Sequence, residues 1–283
     1  MNILDIFLRL RIFRRVRPNI LIISGLCIIF GLVLLAISAP ILTPYNPTAI
    51  VAKPYIPPFT DPKHPLGTNF LGQDVWSRLV YGARNSLIVA LLAVFIAAAI
   101  GIPLGLLSGY VGGIVDRVLT FIMDSMYAFP GIILAMVISF VLGPGIVNVA
   151  LSLAVIYVPT YFRVIRGTTL SVKEQLYVEA AKAAGAPLFT TLRYYVAPNV
   201  IPVSIPVLAL NFADAIITEA GLSFLGVGLP PTQPDWGIDL SISRGDIIQG
   251  IWWTTFFPGL MIFIATLGFL LLGEGLSEML REL

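Results

Sequence analysis

The side chains that could do chemistry in this 283-residue chain are few, and the most notable are carboxylates in or beside apolar segments. Such carboxylates are costly in a membrane and usually face a protein interior or a watery cavity. We expect Asp116 and Arg117 at a membrane boundary and Asp124 about one to two turns further in, where it can pair with a basic group near a gate. For Asp214 and Glu219 two interpretations stay open: they line a path and attract an amino group or cation, or they are structural.

Other chemistries have little support in the sequence. The only cysteine, Cys27, lies in an apolar run, which excludes an internal disulfide framework and a multi-cysteine metal site. The only histidine, His64, lies in a Pro-rich loop, where we expect a solvated side chain. No H-E-x-x-H, G-x-S-x-G or G-x-x-x-x-G-K-[ST] pattern occurs. We therefore predict no catalytic residue, no metal site and no nucleotide or other cofactor on this chain.

The elements that position these residues are predicted to be membrane helices. Hydrophobic residues make up 58% of the chain and charged residues 11%, whereas soluble domains average about 25% charged residues. Only helices or a closed barrel satisfy the backbone in lipid, and runs of about 20 apolar residues predict helices. Six segments qualify: Asn19–Ala39, Ser86–Leu107, Leu119–Leu142, Ile146–Ile165, Asn199–Glu219 and Ile251–Leu272. The first is too long for a signal peptide, so we interpret it as a retained anchor.

The basic residues predict the orientation of the chain. Most of them lie before the first segment (Arg9, Arg11, Arg14, Arg15, Arg17) or between the fourth and fifth. By the positive-inside rule, both termini are expected in the cytoplasm, in a multi-pass protein of the cell membrane. The predicted division is a cytoplasmic segment 1–18, a first transmembrane helix 19–39, an external loop 40–85 with an amphipathic helix (Gln73–Arg84), a five-helix core 86–275 and a cytoplasmic tail 276–283. The core contains an inner loop 166–198 and an external loop 220–250.

The inner loop has a pattern of its own, centred on the stretch EAAKAAGAPLFTTLRYYVAPN. A helix over Ser171–Gly185 has one small, weakly apolar face, and Gly185 followed by Pro187 is typical of a helix end. A second short helix, Leu188–Tyr195, is predicted to lead to Pro198. From these residues alone two interpretations remain open. The first helix fits a groove on a partner protein, or it is a connector on the lipid headgroups.

A row of small residues marks the second segment. Every fourth position is Ala or Gly, in the row Ala93, Ala97, Gly101, Gly105, Gly109 and Gly113. Small residues at this spacing let membrane helices approach closely, so Gly101, Gly105 and Gly109 are predicted to pack against a neighbouring helix.

The inner loop also carries a family resemblance. Glu179-Ala180-Ala181, followed by Gly185 and later by Pro198, resembles the "EAA" loop of ABC-transporter permeases. The family pattern ends Ile-x-Leu-Pro, and this chain departs from it at Tyr195 and Ala197. The stretches HPLGTNFLGQDVWSRLVYGARNSL, GYVGGIVDRVLTFIMDSMYAFP and EAGLSFLGVGLPPTQPDWG resemble permeases that import dipeptides, oligopeptides or nickel. The first of them is typical of the subunit type with the His-Pro-Leu-Gly-Thr stretch after the first helix.

The resemblance implies an all-α, type I ABC importer permease fold with six transmembrane helices and a short cytoplasmic coupling helix. It also implies a second homologous permease, two cytoplasmic ATPase subunits that bind ATP and Mg, an external substrate-binding protein, and lipid around the complex. No nucleic-acid partner is predicted. Docking to the ATPase is expected from Glu174, Tyr177, Glu179, Ala180, Ala181, Ala184 and Gly185, with Glu179 as a polar contact. Path or gate roles are expected for Asp124, Asp214 and Glu219.

The function implied is the membrane path of an ATP-driven importer of dipeptides or oligopeptides, in which closure of the ATPase pair switches the path between two access states. The same type of importer also carries oligosaccharides or nickel, and these cargoes remain alternatives. A secondary transporter or channel is the alternative of a different class, but we find no internal repeat in the sequence, and the patterned inner loop would be unexplained.

Overall fold

The computed structural model describes residues 19–281, and no strand occurs among these residues. A single isolated bridge pairs Thr68 with Asp74. The five arginines used above for orientation, from Arg9 to Arg17, lie outside the described residues, as do residues 282–283. The rest is a bundle of long apolar helices joined by loops and short helices, as the composition predicts.

The first long helix, α1 (Ile20–Ile37), is capped by Asn19, whose side chain accepts a hydrogen bond from the Leu21 N–H. Much of its apolar surface is exposed; Ile20 and Ile37 are more than two-thirds exposed. A single helical turn, Ala39–Leu42, follows it. An apolar helix with so little cover within its own chain is suited to a lipid environment.

Helix α2 (Val75–Val111) has 37 residues and begins well before the predicted second segment. Asp74 caps it by accepting from the Ser77 N–H. The predicted amphipathic helix Gln73–Arg84 is therefore wrong as a separate element, because it forms the first turns of α2. No residue between Arg84 and Ser86 breaks a helix, so the predicted amphipathic stretch continues into the second segment. Its residues are mostly buried against protein rather than lying on lipid.

The predicted third segment is bent. Helices α3 (Gly113–Tyr127) and α4 (Gly131–Leu142) meet at 90°. Pro130 lies at the break, and a proline both lacks an N–H donor and disfavours the helical conformation of the residue before it, here Phe129. The straight segment Leu119–Leu142 inferred from apolarity alone is thus corrected to a broken one.

Helix α5 (Ile146–Val172) packs along α2. A Cβ built on Gly101 would lie 2.6 Å from the Val158 carbonyl oxygen, and one on Gly105 would lie 2.7 Å from the Phe162 carbonyl oxygen. Gly109 meets Thr169 and the Arg166 carbonyl in the same way. The small-residue row thus allows backbone contact within this chain. It ends at Gly109, because Gly113 has no atom within 4 Å of such a Cβ.

A short helix, α6 (Leu176–Ala183), follows α5 after a turn. The chain then runs through Leu188–Thr191, a π-helical stretch Leu192–Val196, the turn Ala197–Val200 and a 3₁₀ turn Ile201–Val203 into α7 (Ser204–Phe224). Helix α8 (Trp236–Ile242), two 3₁₀ turns (Ser243–Gly245, Ile247–Gln249) and α9 (Trp253–Arg281) complete the described chain. Within residues 19–281, five helical stretches are long and apolar enough to cross a membrane, or six if the bent pair counts as one span.

The two ends of α2 differ. At its start, residues 43–74 and 225–252 fold over the bundle, and we name these two stretches the cap. At the other end of α2 lies α6, and we name this region of the molecule the loop end. The cap corrects one expectation: His64 is not solvated but buried, 3% exposed, with Nδ1 3.0 Å from Asp74 Oδ1. Trp253, at the start of α9, is also buried and donates from Nε1 to the Thr68 carbonyl at 3.1 Å.

Candidate functional site

Helix α6 has well-defined ends. Gln175, in an extended conformation, precedes it. At the other end Gly185 has φ +82°, the left-handed conformation that glycine adopts without strain. The Gly185 N–H donates to the Lys182 carbonyl and the Ala186 N–H to the Ala181 carbonyl, which is the Schellman arrangement. The Gly-x-Pro signal in the sequence therefore predicted the end of this helix correctly.

One face of α6 is held by the chain itself. Val178 is fully buried in a small cluster with Ile165, Val196 and Val200. Ala181 is on the same side and only 7% exposed. Ala181 was expected to offer close packing to a partner, and the structure corrects this, because its methyl group faces the interior of this chain.

The opposite face of α6 has no cover among residues 19–281. Leu176 is 82% exposed and Tyr177 43% exposed. The other predicted docking residues Glu174, Glu179, Ala180, Ala184 and Gly185 are also exposed. Leu176 is absent from that set, although its helical spacing to Ala180 and Ala183 was visible in the sequence. We name the exposed face formed by Leu176, Tyr177, Ala180, Ala183 and Ala184 the docking face.

The loop that carries α6 contacts the end of α2. Lys173 Nζ donates to the Gly109 carbonyl at 2.9 Å, near the end of α2. Lys182 Nζ lies 5.1 Å from the centre of the Tyr110 ring, a cation–π contact. After the turn at Gly185, the chain follows one helical stretch from Leu188 to Phe224, which includes α7.

Two ion pairs join α3 to α5 near the loop end. Asp116 accepts from Arg166 Nη2 at 2.7 Å and from the Ser108 hydroxyl. Asp124 accepts from Arg163 Nη2 at 2.8 Å, with both side chains 57% exposed. As predicted, Asp124 pairs with a basic group; its role in a gate stays a prediction.

The remaining two carboxylates lie in different surroundings. Asp214 is exposed and accepts from the Tyr157 hydroxyl at 2.7 Å. Glu219 is 0% exposed. Of the two interpretations left open for Glu219, a path-lining role and a structural role, its complete burial favours the structural one. The sequence offered no local signal for that burial, since the covering residues are distant in the chain.

The cap itself is closed by polar contacts between distant residues. Arg78 Nη2 lies 2.6 Å from Asp239 Oδ1, with side chains only 4% and 11% exposed. Tyr55 and Thr254 both donate to Asp246, and Trp236 Nε1 donates to the Leu79 carbonyl at 3.0 Å. Burial raises the pKa of the Asp239 carboxyl, while the Arg78 guanidinium acts in the opposite direction. Sequence reasoning found none of these pairs.

Comparison with known proteins adds to this geometry. Residues 101–281 match the family model for the binding-protein-dependent transport system inner membrane component, and residues 8–63 match that for the N-terminal TM domain of oligopeptide transport permease C. The chain is 38% identical over 273 residues to the dipeptide transport system permease protein DppC of Alkalihalophilus pseudofirmus, covering 95% of this chain and 88% of that protein.

Two further relatives and one solved structure are similar to the chain. It is 35% identical to the glutathione transport system permease protein GsiD of Pectobacterium atrosepticum, covering 94% of this chain and 88% of that protein. It is 34% identical to DppC of Haemophilus influenzae, covering 90% and 88%. The crystal structure of an amino acid ABC transporter matches with a TM-score of 0.52 at 22% identity, covering 73% of this chain and 94% of that one. At that identity the match supports the fold alone.

Proposed function

The chain belongs to the family of binding-protein-dependent transport system inner membrane components, the permeases of ABC importers, and on that basis we propose that it imports small peptides by coupling its docking face to a separate ATPase. The family predicted from the sequence motifs is confirmed. The chain is thus a transport permease of a membrane complex, and ATP hydrolysis belongs to other subunits.

The observation that carries the coupling proposal is the exposure of the docking face. An apolar side chain that is 82% exposed, as Leu176 is, costs free energy in water unless another surface covers it. The small residues Ala180 and Ala184 allow a second backbone to come close. Such a helix, held from behind by Val178 and Ala181, fits a groove on a partner. The partner we propose is the cytoplasmic ATPase, with ATP and Mg bound there.

The contacts of the loop support a mechanical role. Movement of α6 would carry Lys173 and Lys182, and through them the end of α2. Helix α2 is locked to α5 at Gly101, Gly105 and Gly109, so the two helices would move as one body. We propose that this body turns against α3 and α4, and that the Asp124–Arg163 pair between α3 and α5 lies at the inner gate. Closure of the ATPase dimer would then switch the path between inward and outward access.

The cargo proposed is a dipeptide or oligopeptide. It is supported by the relatives named for dipeptide and glutathione transport. We further propose that the complex contains a second homologous permease and an external substrate-binding protein that rests on the cap. The membrane is proposed to be the cell membrane, with both termini of this chain in the cytoplasm. Asp214 is the exposed carboxylate that we propose for contact with the path, and Glu219 is left out of that role.

The experiment compares Leu176→Glu with Leu176→Met in the purified complex reconstituted in vesicles. We expect Leu176→Glu to assemble in the membrane but to lose most peptide uptake per ATP hydrolysed, because a charge would enter an apolar groove. Leu176→Met keeps an apolar side chain of similar volume and should retain near-normal coupling. Normal coupling in Leu176→Glu would contradict the docking role. If the wild-type complex hydrolyses ATP in step with the uptake of another solute but takes up no peptide, only the proposed cargo would be contradicted.

A further inference from the structure

The carboxyl groups of Glu219 and Asp235 are both buried where the cap packs on α7. Both residues are 0% exposed. Glu219 belongs to α7, and Asp235 is the capping residue before α8, where its Oδ1 accepts from the Ile238 N–H at 2.8 Å. The pair therefore joins the cap to a helix of the bundle.

The hydrogen bonds around the pair are incomplete. The Ser223 hydroxyl donates to Glu219 Oε1 at 3.1 Å, and the Ser86 hydroxyl lies 3.4 Å from Asp235 Oδ2. Glu219 Oε2 is buried and has no hydrogen-bond partner among the described residues. The neighbouring carboxyl group that acts on Glu219 is that of Asp235. Two ionised carboxylates cannot donate to each other, so Glu219 Oε2 stays unsatisfied unless one of the two carries a proton.

No cation within residues 19–281 is paired with either carboxyl group. The four ion pairs in that range involve Asp74, Asp116, Asp124 and Asp239. Arg78 of α2, which lies under this part of the cap, is paired with Asp239. Two adjacent buried negative charges without a counter-charge would be strongly unfavourable.

We infer that Glu219 and Asp235 hold one proton between them, in a buried proton-binding site that fastens the cap to α7. The proton bonded to one carboxyl oxygen is donated as a hydrogen bond to the facing carboxylate, which satisfies Glu219 Oε2. Its removal leaves two like charges in contact. The packing gives them little room to separate in place, since a Cβ on Gly237 would lie 2.3 Å from the Ala220 carbonyl oxygen. Repulsion is therefore relieved by lifting the cap from α7.

A proton suits this site better than a metal ion. The site offers two carboxylates and the hydroxyls of Ser86 and Ser223, whereas Ca²⁺ takes about six to eight oxygen ligands. Among residues 19–281 no group of three or more His, Cys, Asp or Glu side chains that could hold a metal ion is found.

The charged surroundings fix the direction of the pH dependence. Glu219 is faced by Asp235 from the cap and by the neutral Ser86 from α2, with Ser223 on its own helix. Asp235 also senses Asp239 of α8, which is paired with Arg78 of α2. The nearby titratable groups are thus acids with a single guanidinium. Because the folded pair keeps its proton to a higher pH than the unfolded chain does, the contribution of the pair to stability is greatest in acid, falls as the pH rises above the ordinary carboxyl range, and levels off once the shared proton is lost.

The test follows thermal unfolding of the detergent-purified complex from neutral to alkaline pH, for the wild type and Glu219→Gln. The amide replaces the proton with its own N–H donor. We expect the wild-type midpoint to fall by about 5 °C on alkalinisation and the Glu219→Gln midpoint to change much less. Asp239→Asn is the control: it lowers the midpoint overall but should retain the alkaline drop. Equal alkaline drops in wild type and Glu219→Gln would overturn the inference.

Infrared spectroscopy of the wild-type complex provides a second readout that does not require the variant to fold. A carbonyl band of a protonated carboxyl group should be present at neutral pH, disappear at alkaline pH, and be missing in Glu219→Gln if that variant folds. Absence of the band in the wild type would overturn the inference. A midpoint that depends on added Ca²⁺ or Na⁺, and is independent of pH, would also overturn it, since the pair would then hold a metal ion. The inference does not rest on the proposed cargo or ATPase coupling.

Discussion

The cap and the loop end differ in how far their side chains are covered and paired within this chain. The cap buries a set of polar and aromatic groups that pair with residues far along the chain, as Asp239 pairs with Arg78 and Thr68 with Trp253, although Phe59 and Ile248 on its surface are exposed. The loop end leaves Leu176 and Tyr177 exposed, and its ion pair Asp124–Arg163 is more than half exposed. The difference is that the polar interior of the cap is paired within this chain, whereas the loop end presents an exposed apolar helix face, as the proposed docking to an ATPase requires.

Among the variants that test this comparison, Arg78→Met is expected to cause the largest loss of stability. Removing the guanidinium leaves Asp239 buried without its partner, and breaking a buried pair in this way costs about 3–5 kcal/mol. The measurement is thermal or denaturant unfolding of the purified chain in detergent. Arg163→Met is the matched control at the loop end, where an exposed pair contributes about 0–1 kcal/mol. Similar losses in both variants would remove the contrast between the two ends.

A smaller effect is expected from Gly185→Ala. The φ of +82° places an alanine in the left-handed region, at a cost of about 1–2 kcal/mol that falls on the end of α6. Because the bundle does not depend on this turn, we expect the unfolding midpoint to be nearly unchanged while uptake per ATP hydrolysed falls.

Gly185→Asn is the control for that variant, since asparagine tolerates the left-handed conformation better than alanine. No atom lies within 4 Å of a Cβ at this position, so steric contact does not explain a difference between the two. Equal coupling in Gly185→Ala, Gly185→Asn and the wild type would show that the shape of the helix end does not matter for coupling.

The loop end could be predicted from sequence to a large extent. Its information is local: the helical spacing of the predicted helix Ser171–Gly185, the Gly185 stop and the family motif all lie within a short stretch. The start of that helix was wrong, because Ser171 and Val172 end α5 and α6 begins at Leu176. The small-residue row of α2 was equally readable, although the sequence could not say that α5 is its neighbour. What local reasoning missed was the inward orientation of Ala181, which depends on Val196 and Val200.

The cap could not be predicted in the same way. Arg78 and Asp239 are 161 residues apart, and an irregular backbone brings them together, so no periodicity reveals the pair. His64 was misjudged for the same reason, and the sequence could not decide between the two interpretations of Glu219. The start of α2 at Val75 and the bend at Pro130 did have signals, namely the absence of a helix breaker before Ser86 and the Phe129-Pro130 pair, but apolarity alone hid both.

The most direct test of the coupling account is the accessibility of residue 176 to a membrane-impermeant thiol reagent. The exposed Cys27 is first replaced by serine, and Leu176→Cys then supplies the only thiol of the chain. We predict labelling from the cytoplasmic side alone when the permease is without its ATPase subunits, and strong protection once they are bound. Labelling from the outer side, or equal labelling with and without the ATPase subunits, would contradict the account.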